Sequence, residues 1–104
     1  MDRYQTAQEQ LRTRLDAIIK GAARAQDALQ TPALAGLRER ATVGEQLSTI
    51  ARRCSLMHGL LRSDMPVREF NELVQREGEF IASAERIIAT LRRRASGDEW
   101  QSFY

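Results

Sequence analysis

The stretch from Asp64 to Ala95 constrains the fold more than any other part of the sequence. After Met65-Pro66, apolar residues recur at intervals of three and four, which is typical of a helix packed against other helices. These positions are Val67, Phe70, Val74, Ile81, Ala84, Ile88 and Leu91, with Glu77 as the one polar residue in the series. Because proline favours the first turn of a helix, the pattern predicts a helix over residues 66–95.

A second apolar series lies beside the first on the same predicted helix. It consists of Leu73, Phe80 and Ile87, which recur every seven residues. A helix with two adjoining apolar faces has more apolar surface than one contact with a neighbouring helix covers. We therefore predict that these three residues bind a partner, with a helix of another protein packed on them.

Another helix is predicted at the beginning of the sequence. Apolar residues at three-four spacing run without interruption from Tyr4 to Leu29 and predict a helix over about residues 2–30. Thr31-Pro32 ends this helix, since a proline disfavours helical backbone in the residue before it. Threonine followed by proline also suits the start of a further helix.

That further helix is predicted over residues 32–62, and its apolar series ends at Leu61. The series changes phase near Gly44, and Gly36 is a second position where the helix could break. Thr42 and the glutamate three residues later also match a capping box. The segment is therefore either one interrupted helix, which we favour, or a short helical piece followed by a helix that starts at Thr42.

Three helices joined by short connections predict an all-α fold. A helix of 30 residues is about 45 Å long, and short connections place consecutive helices antiparallel. We therefore predict one domain over residues 1–97, an antiparallel three-helix bundle in up-down-up order that could associate further into oligomers. Residues 98–104 would form an aromatic tail, either folded back on the bundle or docked on another protein through Trp100 and Phe103.

Composition and charge argue against several classes of protein. The 104 residues suffice for one domain but not for an enzyme with a cleft between two lobes. No apolar run approaches the roughly 18 residues of a membrane span, and no signal-peptide pattern occurs, so we expect a cytoplasmic protein. The net charge of +2, with both signs interspersed, argues against a one-sided phosphate-binding face.

Few residues suggest catalysis or metal binding. Cys54 and His58 stand four residues apart on one helix, yet zinc needs three or four ligands and the sequence has no other cysteine or histidine. His58 invites comparison with histidine phosphotransfer domains, but the lysine and glycine that normally follow that histidine are missing. No nucleophile elbow, phosphate-binding loop or dinucleotide motif occurs. We therefore expect no enzymatic activity, no cofactor, no metal and no small-molecule substrate.

Two arginine clusters support an alternative function. They are Arg52-Arg53 and Arg92-Arg93-Arg94. Nucleic-acid binding would require aligned basic residues without neighbouring acids and, for single strands, aromatic residues between them. A helical regulatory or nucleic-acid-associated protein that uses these clusters is therefore the alternative to a protein-binding module.

The sequence on both sides of Pro66 carries a family resemblance. A helix ends in a polar turn, a proline opens the next helix, an aromatic residue follows, and an alanine-rich seam leads to paired aliphatic residues. The residues concerned are LRSDMPVREF (61–70), then Leu73, Ala82, Ala84, Ile87, Ile88 and Leu91. This arrangement resembles the second half of the small helical-hairpin co-chaperones of type III secretion needle subunits, the YscE-like family. The resemblance covers about residues 47–91.

The resemblance implies a non-enzymatic function. Such a chain would be a bacterial cytoplasmic chaperone or adaptor that pairs with a second chaperone. Together they would keep a self-polymerising subunit soluble until its export. The long first helix, the greater length of the chain and one extra residue between proline and aromatic depart from the family.

Overall fold

The computed structural model describes residues 3–34 and 38–95, apart from the side chain of Ala33. Within these ranges the chain forms three α-helices: α1 (Arg3–Leu29), α2 (Arg40–Leu60) and α3 (Val67–Ala95). A short 3-10 helix, Pro32–Leu34, follows α1. The described residues include no strand, and the predicted all-α three-helix bundle is confirmed.

Hydrogen bonds between α1 and the chain around α2 show that these two helices run in opposite directions. Near the start of α1, the Gln8 amide donates to the carbonyl of Arg62, just after α2, at 2.9 Å. Near its end, the Gln26 amide donates to the carbonyl of Gly44, in the first turns of α2, at 3.1 Å. The start of one helix therefore lies beside the end of the other.

Contacts between α1 and α3 show that this pair runs in the same direction. The rings of Tyr4 and Phe70 meet edge to face with centroids 5.3 Å apart. Further along both helices, Arg14 and Glu85 form an ion pair at 2.6 Å. The order is therefore up-down-up, in a body of 45 × 25 × 17 Å.

The core lies where the apolar faces of the three helices meet. Its most enclosed side chains are Leu15, Leu47, Cys54 and Ile81, each of which belongs to a series that predicted its helix. Burying an aliphatic side chain of this size contributes roughly 1.5–3 kcal/mol. None of the helices in the described ranges is both long and apolar enough to cross a membrane.

Side chains of α1 hold the connection between α2 and α3. Tyr4, Gln8 and Arg12 each donate a hydrogen bond to a backbone carbonyl between residues 61 and 65. Gln8 is buried. A buried amide needs such partners, because an unpaired polar group away from water is costly. The first helix therefore fixes the turn that sets α3 beside α2.

The second helix is shorter than the predicted range of 32–62. The 3-10 helix packs against α1 and α3, and its Leu34 is buried. Residues 38–39 form a turn before α2, so the 3-10 helix is separate from it. The first residue of α2 is Arg40, with Glu39 at the N-cap. The alternative prediction, a short helical piece followed by a separate helix, is therefore closer than one interrupted helix, although α2 begins two residues before Thr42. Gly44 lies within α2, and Gly36 lies outside the described residues.

The close approach of α1 and α3 depends on Gly21. A methyl group at this position would lie 2.8 Å from Cγ2 of Ile88, whereas one at Gly78 would have no heavy atom within 4 Å. Overpacking lowers the free energy of unfolding by about 1–3 kcal/mol, whereas replacing a helical glycine by alanine raises it by about 1 kcal/mol through helix propensity. We expect Gly21→Ala to lower the free energy of unfolding by about 1 kcal/mol and Gly78→Ala to raise it by about 1 kcal/mol.

Urea denaturation of both variants, followed by circular dichroism, measures this difference. Gly78→Ala is the matched control, because it adds the same methyl group to a helix where no atom of another helix lies within 4 Å. Equal changes in stability for the two variants would contradict the packing of Ile88 on Gly21.

Candidate functional site

The three residues predicted to bind a partner on α3 do not share one surface. Leu73 is 2% exposed and belongs to the core, so the prediction that it lies on an accessible surface and binds a partner is wrong. Val74, predicted to be in the core, is 41% exposed. Phe80 and Ile87 are half-buried at the edge of the core. The other two candidates, Trp100 and Phe103, lie outside the described residues.

Phe80 and Ile87 line a groove between α2 and α3. The backbone of α1 lies close to both other helices, whereas α2 and α3 approach each other at few points. The resulting gap has two adjoining sections that share Ile87, and we call it the α2–α3 groove. Its middle section, with a volume of about 320 Å³, lies between Phe80 and Ile87 of α3 and Thr42, Glu45, Gln46, Thr49 and Ile50 of α2.

The end section of the groove lies beside the last turns of α3 and has a volume of about 420 Å³. Its apolar wall is formed by Val43, Ile87 and Leu91. Its polar rim consists of Arg38, Arg86 and Arg94, one acid, Glu39, and the hydroxyl residues Ser83 and Thr90. Within residues 3–34 and 38–95, no carboxylate forms an ion pair with any of the three arginines. The rim therefore has an excess of positive charge.

Arg53 spans the groove next to Phe80. Its guanidinium donates a hydrogen bond of 2.5 Å to Oε2 of Glu77, and lies 4.0 Å from the centre of the Phe80 ring. Glu77 is only 7% exposed and also accepts a hydrogen bond of 3.3 Å from Arg76. The one polar residue of the α3 series is therefore paired with an arginine from α2.

Two exposed leucines continue the groove side of α2. Leu56 is 67% exposed and Leu60 is 49% exposed. They follow Arg53 by three and seven residues, so they lie on its face of the helix. Neither leucine was predicted to bind a partner, although both lie outside the core series of α2, which is a signal of exposure. That core series in α2 is Leu47, Ile50, Cys54 and Met57.

The arginine clusters do not form one basic face. Arg94 lines the end section of the α2–α3 groove, whereas Arg92 and Arg93 line a gap between α1 and α3. Arg53 is paired with Glu77, while its neighbour Arg52 is exposed on α2. The two clusters are thus divided among three surfaces.

The environment of Cys54 favours a structural role for its thiol. Burial raises the pKa of the Cys54 thiol to about 11, so the sulfur stays protonated at neutral pH. Only the thiolate is a good nucleophile or metal ligand. His58, one turn further along α2, is half-buried. The described part of the chain contains no group of three or more side chains arranged to hold a metal ion.

Among the described residues, the α2–α3 groove and the two leucines thus bring accessible apolar side chains to one side of the bundle. Comparison of this chain with protein-family models, curated proteins and solved structures finds no match.

Proposed function

We propose that this protein is a non-enzymatic interaction module that binds a helix of another protein along α2 and the middle section of the α2–α3 groove. The observation that carries the proposal is the group of accessible apolar side chains on this side of the bundle. Leu56 and Leu60 are exposed, and Phe80 is half-buried under the guanidinium of Arg53.

A helix suits this surface because of its spacing. Leu56 and Leu60 stand one turn apart, which matches the three-four repeat of the apolar stripe on an amphipathic helix. The few points of contact between α2 and α3 leave room for side chains of such a helix against Phe80. Full burial of one leucine or phenylalanine contributes roughly 1.5–3 kcal/mol, so a few such contacts suffice for specific binding.

We further propose that the module acts as a bacterial cytoplasmic chaperone or adaptor for a self-associating export subunit. The resemblance of residues 47–91 to type III secretion co-chaperones supports this proposal. A further support is that most of the proposed contact surface, from Leu56 to Ile87, falls within the same residues. An exposed apolar surface of this kind would cover the part of the subunit through which it polymerises.

Purification of the tagged protein from its native host, followed by mass spectrometry, would identify the partner. Calorimetric titration of the purified pair then tests the surface. We expect Leu56→Asp and Phe80→Asp each to weaken binding about 30-fold or more, the effect of losing a central apolar contact. The matched control is Val74→Asp, an exposed apolar residue of α3 outside the groove, which should leave affinity unchanged.

Circular dichroism must show that each variant keeps its helicity. Unchanged affinity in the Leu56 and Phe80 variants would contradict the proposal, as would global unfolding of the Phe80 variant, which would place Phe80 in the core. Titration with random duplex DNA at several salt concentrations tests the alternative function. Several phosphate contacts would make the affinity fall steeply with salt, whereas the proposed module should show no binding.

A further inference from the structure

The end section of the α2–α3 groove has features that an apolar partner helix does not require. Three arginines, Arg38, Arg86 and Arg94, surround an apolar wall, and Glu39 is the only acid among the lining residues. No ion pair within the described ranges neutralises these arginines. Such a combination suits a short segment that carries both acidic and aromatic side chains.

We propose that residues 98–104 of this same chain bind in the end section of the α2–α3 groove. In this arrangement Asp98 and Glu99 pair with the arginines of the rim, and Trp100 and Phe103 pack on the apolar wall. The segment has the sequence DEWQSFY and thus supplies both kinds of side chain. The proposal concerns the free protein and does not depend on the proposed partner.

The segment has the length needed to reach this section. On α3 the section extends from Ser83 to Arg94, close to the last helical residue, Ala95. These eleven steps along a helix correspond to about 16 Å, whereas seven extended residues span about 20 Å. Ser96-Gly97 lies between the helix and the segment, and glycine readily allows the chain to reverse direction.

Charge favours the groove as the place for the two acids. The last turn of a helix carries partial negative charge on its carbonyl groups, which disfavours Asp98 and Glu99 close to it. The arginines of the rim offset this effect and can donate several charge-assisted hydrogen bonds to the carboxylates. If residues 98–104 stayed in solvent, the three arginines of the rim would have no carboxylate partner among the described residues.

The single tryptophan of the chain, Trp100, provides a direct test. We expect its fluorescence in the full chain to be shifted to the blue relative to a peptide of residues 95–104. We also expect its quenching constant for acrylamide to be less than half that of the peptide, independently of protein concentration. Arg38→Glu with Arg86→Glu should return both values to those of the peptide. Arg52→Glu, an exposed arginine of α2 outside the end section, is the control and should change neither.

A charge exchange makes the test specific. Asp98→Lys with Glu99→Lys should release Trp100, and the combination of this change with Arg38→Glu and Arg86→Glu should restore the protected state. Full-chain fluorescence equal to that of the peptide would overturn the proposal. So would protection that the arginine variants do not alter, which would place Trp100 elsewhere. Protection that disappears on dilution, with a dimer in light scattering, would also overturn it by making a second copy the occupant.

Discussion

Leu73→Ala is expected to lower the free energy of unfolding by about 2–5 kcal/mol, whereas Val74→Ala should lower it by less than about 1 kcal/mol. The two positions are adjacent on α3, but their surroundings differ. Leu73 is 2% exposed and Val74 is 41% exposed. Removal of the Leu73 side chain leaves a cavity in a packed core, whereas the space beside Val74 is already open to water.

Urea denaturation of both variants gives the two free energies, and an unchanged slope with urea would show that the transition remains comparable. Because losses of this size are a large fraction of the stability of a small domain, Leu73→Asp should not fold at all. A Leu73 variant as stable as the Val74 variant would contradict the core position of Leu73 and restore it to the accessible surface.

The overall architecture could be predicted from the sequence because each helix carries its own apolar series. The first and third helices match their predicted ranges within one residue at each end among the described residues. The direction of each helix followed from the short connections. These features depend on local periodicity and on the lengths of the connections, and both can be read directly from the sequence.

Which side chains of α3 face the core could not be predicted in the same way. Consecutive residues of a helix point about 100° apart, so Leu73 and Val74 both border the stripe that packs inward. Which of them is enclosed depends on where α1 and α2 lie around α3. The gap between α2 and α3 has the same origin, because no local signal states that these two helices approach each other at few points.

The connection between α1 and α2 shows a second limit of local patterns. The apolar series favoured one interrupted helix from residue 32, but Leu34 is buried in a separate 3-10 helix that packs against α1 and α3. A tertiary contact thus outweighs local helix propensity. The pairing of Arg53 with Glu77 is likewise a contact between helices that neither residue predicts alone.

Arg53→Ala is expected to lower the free energy of unfolding by about 1–3 kcal/mol, because it leaves the carboxylate of Glu77 buried without its closest cation. The side chain of Glu77 is only 10% exposed, and Arg76, its other partner, lies at the longer distance of 3.3 Å. Arg53 itself is about half exposed, so water offsets part of the loss. Arg52→Ala, the matched control on an exposed site, should change stability by less than about 0.5 kcal/mol.

The effect of Arg53 should depend on the presence of the carboxylate. In a Glu77→Leu background no buried charge remains, and replacing a buried ionic group by an apolar one is often neutral or stabilising. We therefore expect Arg53→Ala to cost at least about 1 kcal/mol less in that background than in the original chain. Urea denaturation of the two single variants and the double variant gives this coupling energy. An equal cost in both backgrounds would mean that Arg53 stabilises the bundle through Phe80 alone, and that the ion pair does not join α2 to α3.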